Sequence, residues 1–181
     1  KIATIQFARE NKVPYLGLCY GMQLACVEYA RHVLGLKRAH TTEIEPKTRY
    51  PIIHIMPEQE KKLLLREYGG TMRLGVWPCK LKPGTRTWNA YKKAGYRSSL
   101  IQERHRHRYE FNNEFLEKFL TNGLVVSGTT PDGKLVEIIE LRDHPFFVGT
   151  QFHPELRSRP LHPHPLFLSF IKTAQELSPS S

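Results

Sequence analysis

Val13-Pro14-Tyr15-Leu16-Gly17-Leu18-Cys19-Tyr20-Gly21-Met22-Gln23-Leu24-Ala25-Cys26 decides how this chain folds. Val13 to Leu18 is a brief apolar run, and it reads as a buried strand that starts at its proline, Pro14. Past Cys19 the period changes: Met22, Ala25, Cys26, Tyr29 and Val33 recur at helical spacing until Gly35 supplies a stop. At the junction, Gly17-Leu18-Cys19-Tyr20-Gly21 has the form G-x-C-x-G, the thiol counterpart of the G-x-S-x-G nucleophile elbow. So sharp a turn holds its central residue strained at the apex, and flanking glycines are expected because side chains there would collide with neighbouring backbone. The following helix aims its N-terminus at the sulfur, so a thiol of ordinary pKa, about 8.5, is expected to be drawn toward thiolate at neutral pH. The Tyr20 N–H would then be placed to stabilise an oxyanion. Cys26 and Cys79 lack such a setting and read as packing residues.

Outward from the elbow, residues 2–10 read as a short helix with Ile2, Ile5 and Ala8 on one side, ended by Asn11-Lys12. The middle third is less regular: a strand is expected over 51–56, a highly charged excursion over 57–68, and a turn over Leu81-Lys82-Pro83-Gly84-Thr85. Phe115, Leu116, Phe119 and Leu120 form an amphipathic helix closed by Asn122-Gly123. Leu124 to Val126, Leu135 to Leu141 and Phe146 to Phe152 read as strands, with tight breaks that favour antiparallel pairing. Leu166 to Leu177 closes the chain as a helix. A strand–turn–helix unit beside hairpins predicts a three-layer α/β domain whose sheet is partly parallel and partly antiparallel. One domain is expected over 1–177, with 178–181 as a loose tail.

Totals narrow the function. The 181 residues suit one domain with a single substantial core, and 40% hydrophobic with 24% charged residues suits a globular protein. With no apolar run near the length of a membrane span and no signal-like start, a cytoplasmic protein without membrane contact is expected. Three cysteines without C-x-x-C spacing argue against a disulfide framework or a zinc site. The net charge of +10 raises nucleic acid as a partner, with Arg97, Arg104, Arg106 and Arg108 at its centre. Only Tyr91, Tyr96 and Tyr109 interleave with those charges, without an RNA- or DNA-binding signature. A basic surface for phosphate-bearing small molecules or an acidic partner accounts for the charge equally well.

A cysteine nucleophile needs a base, and the base needs an orienting group. Among nine histidines, His105 and His107 sit among arginines that would depress their basicity, and His162 and His164 lie in a proline-rich stretch that reads as surface loop. His153 follows the apolar run ending at Phe152 and stands two residues before Glu155, so both side chains could share one side of a strand end. The carboxylate would fix the imidazole's tautomer and stabilise its charged form.

Together, the elbow and a His-x-Glu near the C-terminus resemble the class I, triad-type glutamine amidotransferases. Gly69-Gly70-Thr71-Met72-Arg73-Leu74-Gly75, Glu103-Arg104-His105-Arg106-His107-Arg108-Tyr109-Glu110, Val136-Glu137-Ile138-Ile139-Glu140 and Tyr29-Ala30-Arg31 are similar to the glutaminase domains of the CTP synthase family. The resemblance implies a flavodoxin-like α/β/α sheet, truncated at its N-terminal side. It also implies hydrolysis of L-glutamine through a thioester on Cys19, with His153 and Glu155 completing the triad. The glutamine pocket carries over to Tyr20, Gly21, Met22 and Gln23, to Glu43 for the ammonium and to Arg108 for the carboxylate. Tyr20 stands where the family usually has leucine. Before Lys1 a glycine-rich oxyanion loop and an N-terminal synthase domain are expected. No cofactor or metal is implied within this domain; ATP and Mg would belong to the synthase domain, GTP would be an allosteric effector, and the complete protein would be a homotetramer. Two other readings stay open: a glutaminase serving another synthetase, and a basic nucleic-acid-binding module.

Overall fold

The computed structural model describes residues 1–55 and 72–178. The expected charged excursion, Met56 at the end of the expected 51–56 strand, Gly69-Gly70-Thr71 and most of the expected loose tail lie outside the described residues. The chain opens with α1 (Ile2–Glu10), β1 (Tyr15–Leu18) and α2 (Tyr20–His32), followed by β2 (Ala39–Thr41) and β3 (Tyr50–Ile55). Then come β4 (Arg73–Leu81), α3 (Arg86–Lys93), β5 (Leu100–His107), β6 (Tyr109–Phe111) and α4 (Leu116–Thr121). The chain closes with β7 (Leu124–Thr129), β8 (Val136–Leu141), β9 (Phe147–Thr150) and α5 (Pro165–Leu177).

A six-stranded sheet runs in the order β1-β9-β8-β7-β4-β5, and a smaller one in the order β2-β3-β6. In the larger sheet β1 lies parallel to β9, while β9, β8, β7, β4 and β5 follow one another antiparallel, as the tight breaks of the final third require. The mixed sheet and its three layers meet the expectation. Successive residues of β8 point to opposite faces: Ile139 joins the core under α2, with Met22, Cys26 and Phe147, while Ile138 joins a second core under α3 and α5, with Tyr91, Val148 and Leu166. Every residue of β8 is buried, as befits a strand covered on both sides.

Local chemistry explains the helices that position the site. α2 lies so close to β9 that a Cβ on Gly149 would come within 3.0 Å of the Met22 side chain. α1 docks on α2 through an ion pair, Arg9 Nη2 to the fully buried Glu28 at 2.8 Å, which His32 Nδ1 joins at 3.1 Å. Leaving Glu28 without Arg9 would strand a buried charge, so the pair fixes how the two helices meet. Thr85 caps α3 by accepting the Trp88 N–H at 3.2 Å.

Two expectations are corrected here. β4, α3 and β5 fill the stretch that the sequence left irregular; their apolar residues alternate with charged ones whose burial only tertiary pairing explains. His164 is buried rather than part of a surface loop. Its Nδ1 accepts the Leu166 N–H at the start of α5, with Pro165 as the first helical residue, and its Nε2 meets Tyr91 Oη and Glu103 Oε1 at 3.1 and 3.2 Å.

Candidate active site

Cys19 sits at the apex between β1 and α2 with φ 48° and ψ −101°, a left-handed conformation that a non-glycine residue adopts only under constraint. Its N–H donates to the Thr150 carbonyl at 2.6 Å, and its carbonyl accepts the Gln23 N–H at 3.1 Å. The two flanking glycines are not equivalent. A Cβ on Gly17 would fall 2.8 Å from the Gly21 carbonyl carbon, whereas one on Gly21 would meet nothing nearer than Tyr15 Oη at 3.5 Å. Only Gly17 is needed for space, because it is the residue over which the helix folds back.

The register Leu18↔Thr150 brings the ends of β1 and β9 side by side, so the chain past Leu18 and the chain past Thr150 leave the sheet at the same edge. His153 and Glu155 follow on that edge. The strand ends at Thr150, two residues earlier than expected, and a short 3-10 turn, Pro154–Leu156, takes over. That turn, and not the alternation of a strand end, closes the pair: His153 Nδ1 lies 2.5 Å from Glu155 Oε1. A carboxylate only accepts, so Nδ1 carries the hydrogen and Nε2 is the basic nitrogen. His153 Nε2 is buried without a hydrogen-bond partner among the described residues. The His153 N–H, in turn, donates to the Arg104 carbonyl of β5 at 2.8 Å.

Beside Cys19 opens a cavity of about 500 Å³ walled by Tyr20, Gln23, Glu43, Ile44, Met72 and Arg106 to Tyr109. Of the residues expected around a glutamine, Tyr20, Gln23, Glu43 and Arg108 share this wall with Cys19. Gly21 and Met22 do not, and the Met22 side chain is turned into the core under α2. The reason is helical geometry: Tyr20 and Gln23, three apart, share a face, and Met22 points away from it. Arg108 is the single residue between β5 of the large sheet and β6 of the small one. Along β5 Arg104 and Arg106 face outward while His105 and His107 are buried, an alternation that ends where Arg108 crosses between sheets.

Residues 1–173 match the family described as Glutamine amidotransferase class-I. The chain belongs to that family. It is 58% identical over 177 residues to the CTP synthase of Caldanaerobacter subterraneus and 55% identical over 176 to that of Bacillus subtilis. These matches take in 98% and 97% of this chain but only 32% and 31% of those proteins, so the chain spans about a third of the length of the curated relatives it matches. A solved Trypanosoma brucei CTPS glutaminase domain with bound acivicin superposes with a TM-score of 0.88 at 33% identity, over 99% of this chain and 66% of that one.

The electrostatics of this class I glutamine amidotransferase depart from expectation at the sulfur. Burial pushes the Cys19 thiol up to about 11, a hydrogen bond from the Tyr20 N–H works against that rise, and the charges of Glu155, Glu110 and Glu43 add to it. The helix N-terminus therefore does not leave a free thiolate, and the proton stays on sulfur until a base takes it. The depressed basicity of His105 and His107 is as expected, but its main cause is burial, and the cation that contributes is Arg73 across the sheet rather than their arginine neighbours. Arg73 Nη2 and Nη1 lie 2.8 Å from Glu137 and 3.2 Å from Glu110, and burial raises both carboxyl groups.

Sequence reading missed Gln151, which is wholly buried and donates from Nε2 to Cys19 Sγ at 3.7 Å. A polar residue directly after an apolar strand and before His153 was the available signal.

Proposed function

We propose that this chain is the glutaminase domain of a CTP synthase, hydrolysing L-glutamine through a thioester on Cys19 and supplying ammonia for the amination of UTP. The observation that carries it is a strained cysteine at a cavity edge and, following the neighbouring strand end, an imidazole held at Nδ1 by Glu155 whose buried Nε2 has no partner among the described residues. The unbroken similarity to CTP synthases across the chain supports the choice among amidotransferases.

In the chemistry proposed, the glutamine carboxamide enters the cavity with its carboxylate toward Arg108 and its ammonium toward Glu43. Cys19 Sγ attacks the carbonyl carbon as its proton passes to His153 Nε2, and the Tyr20 N–H faces the oxygen that gains charge. His153 then gives that proton to the departing nitrogen, which leaves as ammonia and a thioester remains. Water, deprotonated by the same nitrogen, releases glutamate and restores the thiol. Glu155 holds the imidazole and stabilises it while charged. ATP, Mg and UTP would act on the part of the protein outside this chain, GTP would act as effector, and the whole would be a cytoplasmic homo-oligomer; no residue described here is assigned to them.

A thiol-directed glutamine analogue is expected to label Cys19 and spare Cys26 and Cys79, both of which are buried. Label on either of those, or none on Cys19, overturns the assignment. In the complete protein, Cys19→Ser should abolish glutamine-dependent amination of UTP while ammonia-dependent amination persists. Loss of both would place Cys19 outside the glutaminase step.

A further inference from the structure

The Gln151 side-chain amide meets the Cys19 sulfur, and its orientation follows from bonds that cannot be reversed. The Tyr109 carbonyl can only accept, so the group of Gln23 that faces it at 3.1 Å is the NH2. The same NH2 lies 3.3 Å from Gln151, and that atom must therefore be Oε1. The Nε2 of Gln151 is left facing Cys19 Sγ at 3.7 Å, within reach of a sulfur acceptor. The backbone is equally fixed: the Gln151 N–H donates to the Glu137 carbonyl at 2.8 Å, and the Thr150 hydroxyl donates to the Phe152 carbonyl at 3.0 Å. Behind the Tyr109 carbonyl stands His107, whose Nδ1 also faces it at 3.2 Å, and behind His107 stands His105 at 2.8 Å. A buried chain of hydrogen bonds thus ends on the sulfur with a donor.

We propose that Gln151 is a further catalytic residue: its amide N–H holds Cys19 Sγ toward the cavity and stabilises the thiolate as the proton leaves. The groups facing the sulfur from other elements make such a donor necessary. Glu43 after β2 and Glu155 in the turn after β9 bring negative charge to it. Against them stand the Tyr20 N–H of α2 and Gln151. A neutral donor stabilises the anion without adding a charge that would compete with Arg108 for the substrate. The proposal rests on Cys19 being the nucleophile.

The test measures the rate of Cys19 alkylation from pH 7 to 9, with iodoacetamide and with the bulkier N-ethylmaleimide, by peptide mass spectrometry on the whole chain. Gln151→Met removes the donor and keeps the volume. It should slow both reagents about tenfold at every pH, corresponding to a rise of about one unit in the thiol pKa. Gln151→Glu, which places a further carboxylate beside the sulfur, should slow both further. Cys26 and Cys79 report on folding, because they stay unlabelled only while the core is intact. Should Gln151→Met expose them, Gln151→Asn, which draws the amide back by one methylene, gives the same reading. Wild-type rates in folded Gln151→Met or Gln151→Asn, or a loss confined to the larger reagent, would reduce Gln151 to packing. If instead Cys19→Ser retained glutamine hydrolysis, the nucleophile assignment would fall while the alkylation rates still judged the contact itself.

Discussion

At the scale of single residues, the proposed chemistry depends on which nitrogen of His153 carries the hydrogen. Glu155 sets that by holding Nδ1 at 2.5 Å, and its worth grows when the ring becomes charged. Glu155→Gln should therefore lower kcat roughly 10- to 150-fold, equivalent to about 1.5–3 kcal/mol, while half-saturation by glutamine changes little. Unchanged turnover in a glutaminase assay would return Glu155 to a structural role. Arg108→Lys should show the opposite split. A point charge cannot reproduce a two-pronged grip on a carboxylate, so KM should rise by a similar factor with kcat nearly kept. Arg104→Lys is the control, because Arg104 faces outward from β5 and is not in the cavity wall. It should leave glutamine saturation untouched.

At the scale of elements, the β1–α2 elbow is a steric device, and its two glycines make it testable. Gly17→Ala drives a methyl into the Gly21 backbone at 2.8 Å and into the Tyr15 ring, so the helix must shift. A cost of about 1–3 kcal/mol is expected, seen as a lower Tm and lost Cys19 labelling. Gly21→Ala meets only Tyr15 Oη, at an ordinary 3.5 Å, and should keep both. Equal behaviour of the two variants would show that the elbow is held by something other than this contact. The elbow was legible in the sequence because strand, turn and helix are each local: an apolar run, G-x-C-x-G, and a helical period. β5 was legible only as an alternation of histidines and arginines. Its partner β4 and the inward turn of its histidines depend on a pairing that no local pattern announces.

At the scale of the whole molecule, the buried group of Arg73, Glu110, Glu137, His105 and His107 ties β4, β5, β6 and β8 together and shapes the dependence of stability on pH. Burial lowers His105 to about 2 and His107 to about 3 from 6.5, so between about 3 and 6.5 the unfolded chain binds protons that the folded one refuses. Stability from these two is lost as pH falls through that window. Glu110 has the opposite sign. Burial raises it from 4.5 to about 8, so the folded chain holds a proton that the unfolded one has released, and stability declines as pH rises from about 4.5 to 8. Thermal unfolding should give a Tm that climbs from pH 4, peaks near neutrality and eases toward pH 8. In Glu110→Gln the easing above the peak should be reduced. A profile identical to that of the parent chain would show that Glu110 is ionised throughout.

Sequence alone determined the elements whose cause is local: α1, β1, α2, the hairpin strands β7 to β9, the closing helix, and the strained cysteine between strand and helix. It also supplied the members of the proposed triad, since a thiol, an imidazole and a carboxylate of the right types stand in two short motifs. Tertiary structure decided what distance along the chain hides. Parallel pairing of β1 with β9 brings residue 19 to residues 151–155, and the crossing from one sheet to the other delivers Arg108 to the same cavity. It also decided protonation. Whether a cysteine, histidine or glutamate keeps its proton depends on burial and on charges from other strands, and the raised thiol of Cys19 and the neutral His105 and His107 are set by neighbours that their own segments do not contain.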